Sequence, residues 1–108
     1  MRRGDLNTLA VQGNFGKPRP AVVIQNDVVS GTANVLVCPL TSTQGPFVML
    51  RLAVEPSASN NLRRTSFVML SNIVAAPREK CGPVIGSLSA DQMTDIDIRL
   101  AFILGLAR

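Results

Sequence analysis

The chain is organised around residues 16–42, which read GKPRPAVVIQNDVVSGTANVLVCPLTS. It contains two apolar runs, residues 21–24 and residues 35–40, and the residues between them are polar and rich in turn formers. Short apolar runs bounded by glycine, asparagine and serine are typical of β-strands in a hairpin. If the two runs pair as antiparallel strands, Arg19 before the first run and Thr41 after the second belong to one surface.

Prolines refine this prediction at both ends of the stretch. Pro18 and Pro20 flank Arg19, and each proline fixes its own φ angle and favours an extended residue before it. We therefore expect Arg19 to lie in a stiff, extended segment that enters the first strand. Pro39 lies within the second run, which predicts a sheet edge or a bulge near the end of that strand, because proline cannot donate a ladder hydrogen bond.

The rest of the chain up to residue 88 shows further short strand patterns that are separated by glycine and proline turns. In residues 47–54, alternation predicts one strand with Val48, Leu50, Leu52 and Val54 on its buried face. The other predicted strands are residues 6–11, 66–70, 73–76 and 81–88.

The last part of the chain changes to a helical pattern. Ser89 and Gln92 form a capping-box sequence, which predicts a helix over residues 90–104 that ends at Gly105. The apolar side chains recur at helical spacing and predict one buried stripe, made of Met93, Ile96, Leu100, Ile103 and Leu104.

These elements predict a mainly β protein with a C-terminal α-helix, arranged as a small, strongly bent sheet or barrel. A length of 108 residues predicts a single domain, residues 1–108. Apolar residues make up 46% of the chain and aromatic residues only 4%, so the core should be aliphatic. The apolar excess in so small a chain favours a homodimer.

Basic residues are concentrated before the predicted helix. The last twenty residues carry three aspartates and two arginines, whereas the preceding residues carry nine basic and four acidic side chains. The sheet region is thus the basic part of a chain with net charge +4, which suits a polyanion such as RNA or an acidic protein segment. A moderately basic, solvated surface explains the charge equally well.

The sequence also limits the compartment and the chemistry. It contains neither an apolar run long enough for a membrane helix nor a signal-peptide core, so we expect a cytoplasmic protein. Cys38 and Cys81 lack CxxC spacing and are interpreted as reduced packing residues rather than a disulfide. There is no histidine, no metal-ligand cluster and no phosphate-binding loop, so catalysis would depend on arginine, lysine and hydroxyl groups. That inventory suits phosphodiester cleavage by the 2′-hydroxyl of RNA itself, with a guanidinium that binds the phosphate.

Three motifs occur in an order and at a spacing that resemble the MazF/PemK family of bacterial toxins: Arg3-Gly4-Asp5, the segment GKPRPAVVIQND at residues 16–27, and CPLTS at residues 38–42. The resemblance implies a small SH3-like barrel of the MazF/CcdB type that forms a homodimer. It implies a sequence-specific, metal-independent endoribonuclease without a cofactor, which cleaves single-stranded RNA to 2′,3′-cyclic phosphate and 5′-hydroxyl ends and so inhibits translation and growth. The partner would be a cognate antitoxin with an acidic, disordered tail.

Under this resemblance, Arg19 and Thr41 are the predicted catalytic residues. Ser71-Asn72 stand where many relatives have a carboxylate followed by glutamine, so the carboxylate proposed as a base in some members is missing. The predicted substrate-binding residues are Gln12, Asn14, Phe15, Lys17, Ser42, Thr43 and Asn72.

Two other readings stay open at this point. A CcdB-like toxin that binds DNA gyrase would share the fold, but that relative ends in a segment with tryptophan, and this chain has none. A gyrase binder also has no need of the Arg19 and Thr41 pair. An inactive binding module would agree with the missing carboxylate.

Overall fold

The computed structural model describes residues 1–10 and 17–107. Within these residues the chain forms seven β-strands and one α-helix. They are β1 (Asp5–Leu9), β2 (Arg19–Val23), β3 (Asn34–Thr41), β4 (Arg51–Val54), β5 (Ser66–Met69), β6 (Val74–Pro77), β7 (Cys81–Ser87) and α1 (Ala90–Ile103).

The strands form one bent antiparallel sheet in the order β4-β5-β3-β2-β1-β7, and β6 pairs with the first half of β3. The predicted hairpin is present, because Ala21–Val23 of β2 pair with residues 37–39 of β3. Pro39 lies where β3 changes its outer neighbour from β6 to β5, between the Val37 pair and the Leu40 pair. The missing N–H of proline therefore falls where the ladder changes partner rather than at an outer edge.

The interior is aliphatic, as the composition predicts. The larger of two buried clusters joins the sheet to α1 through Ile96 and Leu100. The smaller cluster lies between β2, β3 and β6. Among the helix positions of the predicted stripe, Leu104 is 56% exposed and does not belong to the core.

The capping box is confirmed at the start of α1. The Ser89 hydroxyl accepts from the Gln92 N–H at 3.1 Å, and the Gln92 side chain accepts from the Ser89 N–H at 2.8 Å. Gly105 follows the helix at φ +75°, a left-handed conformation that costs glycine little.

One predicted strand is wrong in its first half. Residues 48–50 form a 3-10 turn, the strand begins only at Arg51, and Val48 is 65% exposed rather than buried. The Arg51 guanidinium donates to the Thr43 carbonyl at 2.6 Å and packs against Gly45, which draws the chain into a compact turn. The Arg99 guanidinium of α1 also donates to the Val48 carbonyl at 2.6 Å, and this long-range contact overrides the alternating pattern of the sequence.

The Arg3-Gly4-Asp5 motif connects the start of the sheet to the helix. Arg3 donates to the Ile24 carbonyl at 2.9 Å and forms an ion pair with Asp97 of α1. Gly4 adopts φ +93° and lies against Met93, so a side chain here would be strained and crowded. The motif therefore has a structural role in this chain.

Both cysteines are free thiols, as predicted, and Cys38 is fully buried. Burial raises the pKa of the Cys38 thiol from 9.0 to about 12. No helix in the described part of the chain is long and apolar enough to cross a membrane.

The Cys38 thiol makes folding stability depend on alkaline pH. Its folded pKa lies above its unfolded pKa, so its contribution is complete below pH 9 and is lost as the pH rises towards 12. We expect the free energy of unfolding to fall by about 2 kcal/mol between pH 9 and pH 10.5, measured by urea denaturation. Cys38→Ala should flatten this decline and Cys81→Ala should keep it. Equal slopes in all three proteins would contradict the assignment.

Candidate functional site

The antiparallel hairpin brings the two predicted catalytic residues to the same end of the sheet. Arg19 is the first residue of β2 and Thr41 is the last residue of β3. Ala21 pairs with Pro39, so extending this register by two residues places Arg19 opposite Thr41. The Pro18 and Pro20 flanks hold the Arg19 backbone extended, as the sequence predicts.

The space between these strand ends is a cleft of about 390 Å³, which we call the arginine cleft. Strand β5 forms its third wall, because Thr41 pairs with Phe67 and the adjacent Ser66 follows the same register. Its lining residues are Lys17, Arg19, Pro20, Leu40, Thr41, Ser42, Arg64 and Ser66.

The arginine cleft is strongly cationic. Lys17, Arg19 and Arg64 all line it, and no acidic side chain does so within the described part of the chain. The two ion pairs found among the described residues belong to Arg3 and Arg99, so neither cleft arginine is neutralised by a described carboxylate. Such a site attracts a phosphate, and the planar guanidinium of arginine matches two phosphate oxygens at once.

Thr41 is held in a defined position at the edge of the cleft. It is half-buried, and its hydroxyl oxygen accepts from the Thr43 N–H at 3.2 Å. This contact caps the turn after β3 and uses only a lone pair of the hydroxyl. The hydroxyl proton therefore remains available to a phosphate oxygen.

The other predicted substrate-binding residues divide into three groups. Lys17 and Ser42 line the arginine cleft. Thr43 lies beside it and contacts Thr41, whereas Asn72 lies in the exposed turn after β5 and is not a lining residue. Gln12, Asn14 and Phe15 lie outside the described residues.

Sequence reasoning missed Arg64. The pair Arg63-Arg64 lies one residue before β5, and the pairing of β5 with β3 brings it to the same end of the sheet as Thr41. Two adjacent arginines ahead of a strand were the available signal, but the partner of β5 had to be known first.

The described residues contain no group of three or more histidine, cysteine or acidic side chains that could hold a metal ion. The chemical resources of the cleft are therefore its guanidinium, ammonium and hydroxyl groups. Together they can bind a phosphodiester and stabilise negative charge that develops on its oxygens.

Comparisons with known proteins agree with this geometry. The model of a family of PemK-like, MazF-like toxins of type II toxin–antitoxin systems matches residues 2–104. A probable endoribonuclease MazF of Mycolicibacterium smegmatis is 36% identical over an alignment 108 residues long, which covers 99% of each chain.

Solved structures of similar proteins cover nearly the whole chain. One is an endoribonuclease in complex with its cognate antitoxin from a mycobacterial species, with a TM-score of 0.83, 25% identity and coverage of 100% of this chain and 98% of that one. Another is the Mycobacterium tuberculosis toxin MazF-mt6, with a TM-score of 0.81, 25% identity and coverage of 96% and 99%. These matches confirm the predicted fold class and the resemblance drawn from the sequence motifs. The chain therefore belongs to the PemK-like, MazF-like toxins of type II toxin–antitoxin systems.

Proposed function

We propose that this toxin is an endoribonuclease that cleaves single-stranded RNA in the arginine cleft. The observation that carries the proposal is the convergence of Arg19 and Thr41 in a cleft lined by three basic and no acidic side chains among the described residues. The related M. smegmatis protein, named a probable endoribonuclease, supports the same activity.

In the proposed reaction, the 2′-hydroxyl oxygen attacks the adjacent phosphorus atom and the bond from phosphorus to the 5′ oxygen breaks. The 2′-hydroxyl loses its proton and the departing 5′ oxygen gains one, which gives a 2′,3′-cyclic phosphate and a 5′-hydroxyl end. Arg19 binds the phosphoryl oxygens, on which negative charge accumulates, and Thr41 donates a hydrogen bond to one of them. Lys17 and Ser42 bind the flanking backbone.

No side-chain base is available among the lining residues. The carboxylate found in some relatives is replaced by Ser71, which lies in the exposed turn after β5. Residues 11–16, with the sequence VQGNFG, add no ionisable side chain. Water therefore takes the proton of the 2′-hydroxyl, and the protein contributes mainly position and electrostatic stabilisation.

The cationic cleft also suggests how the toxin is restrained. An antitoxin with an acidic, disordered tail would cover the arginine cleft and exclude RNA, because both ligands are polyanions. A structural relative bound to its cognate antitoxin supports a partner of this kind. The free toxin would act in the cytoplasm, where RNA cleavage inhibits translation and growth.

A homodimer is supported by the exposed apolar side chains of α1. Ile98 and Phe102 lie four residues apart on α1 and are 64% and 55% exposed. Residues at this spacing share one helix face, which a second copy would cover.

The gyrase-binding alternative is not favoured. The matching family model and the relatives are MazF-like rather than CcdB-like. A gyrase poison also has no use for a pocket that combines Arg19, Thr41 and Arg64.

The test is to incubate the purified protein with a long, mixed-sequence RNA in EDTA and to sequence the new ends. We expect discrete fragments with 5′-hydroxyl and 2′,3′-cyclic phosphate ends, which disappear with Thr41→Val. Thr94→Val, which alters an exposed threonine on α1, is the matched control and should leave cleavage unchanged. Intact RNA together with gyrase-dependent DNA breaks would overturn the proposal.

A further inference from the structure

A second cleft opens directly beside the arginine cleft. It has a volume of about 590 Å³ and shares Pro20 and Ser66 with its neighbour, so the two clefts adjoin. We call it the side cleft. A phosphate held by Arg19 would therefore have the side cleft within reach of the nucleotide attached to it.

Apolar side chains line the side cleft. Pro18 and Pro20 come from the segment that enters β2 and Ile85 comes from β7, and these two strands pair with β1 on its two sides. The half-buried Leu62 lines the cleft from the loop before β5. Apolar side chains of this kind can pack against the faces of a nucleobase, which are planar and weakly polar.

Polar groups in the side cleft are free to contact a base edge. Thr8 lines it, and its hydroxyl forms no hydrogen bond to another described residue. Gly82 makes room for that hydroxyl, because a Cβ at Gly82 would lie 2.0 Å from Thr8 Oγ1. Asn61 donates to the Ile85 carbonyl at 2.6 Å through its amide nitrogen, which leaves its amide oxygen as an acceptor.

The charge at the rim favours a nucleic acid over an apolar peptide as the occupant. Arg63 lines the side cleft, is exposed and forms no ion pair with a described residue. No acidic side chain among the described residues lines either cleft. A ligand that spans both clefts would place negative charge against the arginines, and a nucleotide carries such a charge beside a planar base.

The walls are held rigidly before any ligand binds. The Ser87 N–H donates to the Ser59 carbonyl at 3.0 Å, which joins the segment before Asn61 to β7. A Cβ at Gly86 would lie 2.5 Å from the Ser59 carbonyl oxygen, so the two backbones touch. A preformed pocket discriminates between ligands because it does not adjust to the wrong one.

We propose that the side cleft binds the base of a nucleotide next to the cleaved bond and that Thr8, Asn61 and Arg63 select its identity. This inference rests on the proposed RNA cleavage, since it places the scissile phosphate in the arginine cleft. The new element is a pocket that recognises one base of the RNA sequence. A good hydrogen-bonded contact to a base edge gives about tenfold discrimination or more.

The experiment compares the cleavage-site preferences of wild type, Thr8→Val and Arg63→Ala by sequencing the ends released from a random-sequence RNA. Thr8→Val keeps the side-chain shape and removes the hydroxyl, whereas Arg63→Ala removes the cation. Lys80→Ala and Thr94→Val change exposed residues outside both clefts and serve as matched controls. We expect both side-cleft variants to relax the preference about tenfold at the same single position next to the cut, and the controls to keep it.

A second arm measures binding of a random library of 2′-fluoro RNA, which lacks the attacking hydroxyl. If wild type cleaves no RNA, the proposed function fails. The side cleft is still supported if wild type enriches one base at a position where Thr8→Val does not. The inference is overturned if the side-cleft variants keep the wild-type preference, or if they lose cleavage equally at every RNA sequence. It is also overturned if wild type neither cleaves RNA nor enriches any base.

Discussion

Arg19→Lys is expected to lower the rate of RNA cleavage about a hundredfold, although it keeps the positive charge. Lysine presents a single rotating ammonium group, whereas the arginine fork can hold two phosphoryl oxygens in fixed directions. Removing one preorganised donor from a developing oxyanion costs about two to three orders of magnitude in comparable sites. The measurement is the single-turnover rate on one RNA that contains the wild-type cleavage sequence.

Arg2→Lys is the matched control, because Arg2 is exposed and its side chain forms no hydrogen bond or ion pair with a described residue. Arg19 is also exposed, so its replacement should leave the urea unfolding curve within about 0.5 kcal/mol of wild type. A rate for Arg19→Lys within threefold of wild type would show that simple charge, rather than guanidinium geometry, accounts for catalysis.

The sequence predicted this part of the site because the relevant signals are local. The prolines on both sides of Arg19 fix its backbone, and the two apolar runs fix the hairpin that places it opposite Thr41. The capping box at Ser89 is local as well, and it is present.

Features that depend on distant contacts were not predictable in the same way. Alternation over residues 47–54 predicted a full strand, but Arg51 binds the Thr43 carbonyl and the Arg99 guanidinium binds the Val48 carbonyl at 2.6 Å. Arg64 joins the cleft only because β5 pairs with the end of β3. No short sequence pattern contains these pairings.

Asn60 is a further residue whose importance only the folded chain reveals, and its replacement should strongly lower stability. The side chain is 1% exposed. Its amide oxygen accepts from the Ser57 and Leu62 N–H groups, both at 2.9 Å, and its amide nitrogen donates to the Glu55 carbonyl at 2.9 Å. One asparagine thus satisfies three backbone groups of the loop that leads to the two clefts.

Asn60→Ala should lower the free energy of unfolding by about 3 kcal/mol or more, because three partly buried backbone groups lose their partner together. For a chain of this size, that loss corresponds to a fall of about 15 °C in Tm, measured by thermal unfolding under circular dichroism. Asn72→Ala is the control. Asn72 is exposed and its side chain accepts one hydrogen bond, from the Ser71 hydroxyl at 3.3 Å, so its replacement should change the free energy of unfolding by less than about 0.5 kcal/mol.

The same replacement tests whether the loop sets the shape of the side cleft. Asn60 lies directly before Asn61, Leu62 and Arg63, which line that cleft, so a loosened loop should relax base preference as well as stability. This is checked at a temperature where Asn60→Ala is still folded, by sequencing the ends it releases from random-sequence RNA. Equal stability of Asn60→Ala and Asn72→Ala would contradict the role of Asn60. If Asn60→Ala is destabilised but keeps its base preference, the loop does not set the shape of the side cleft. The lining residues outside the loop, Pro18, Pro20 and Ile85, would then be sufficient.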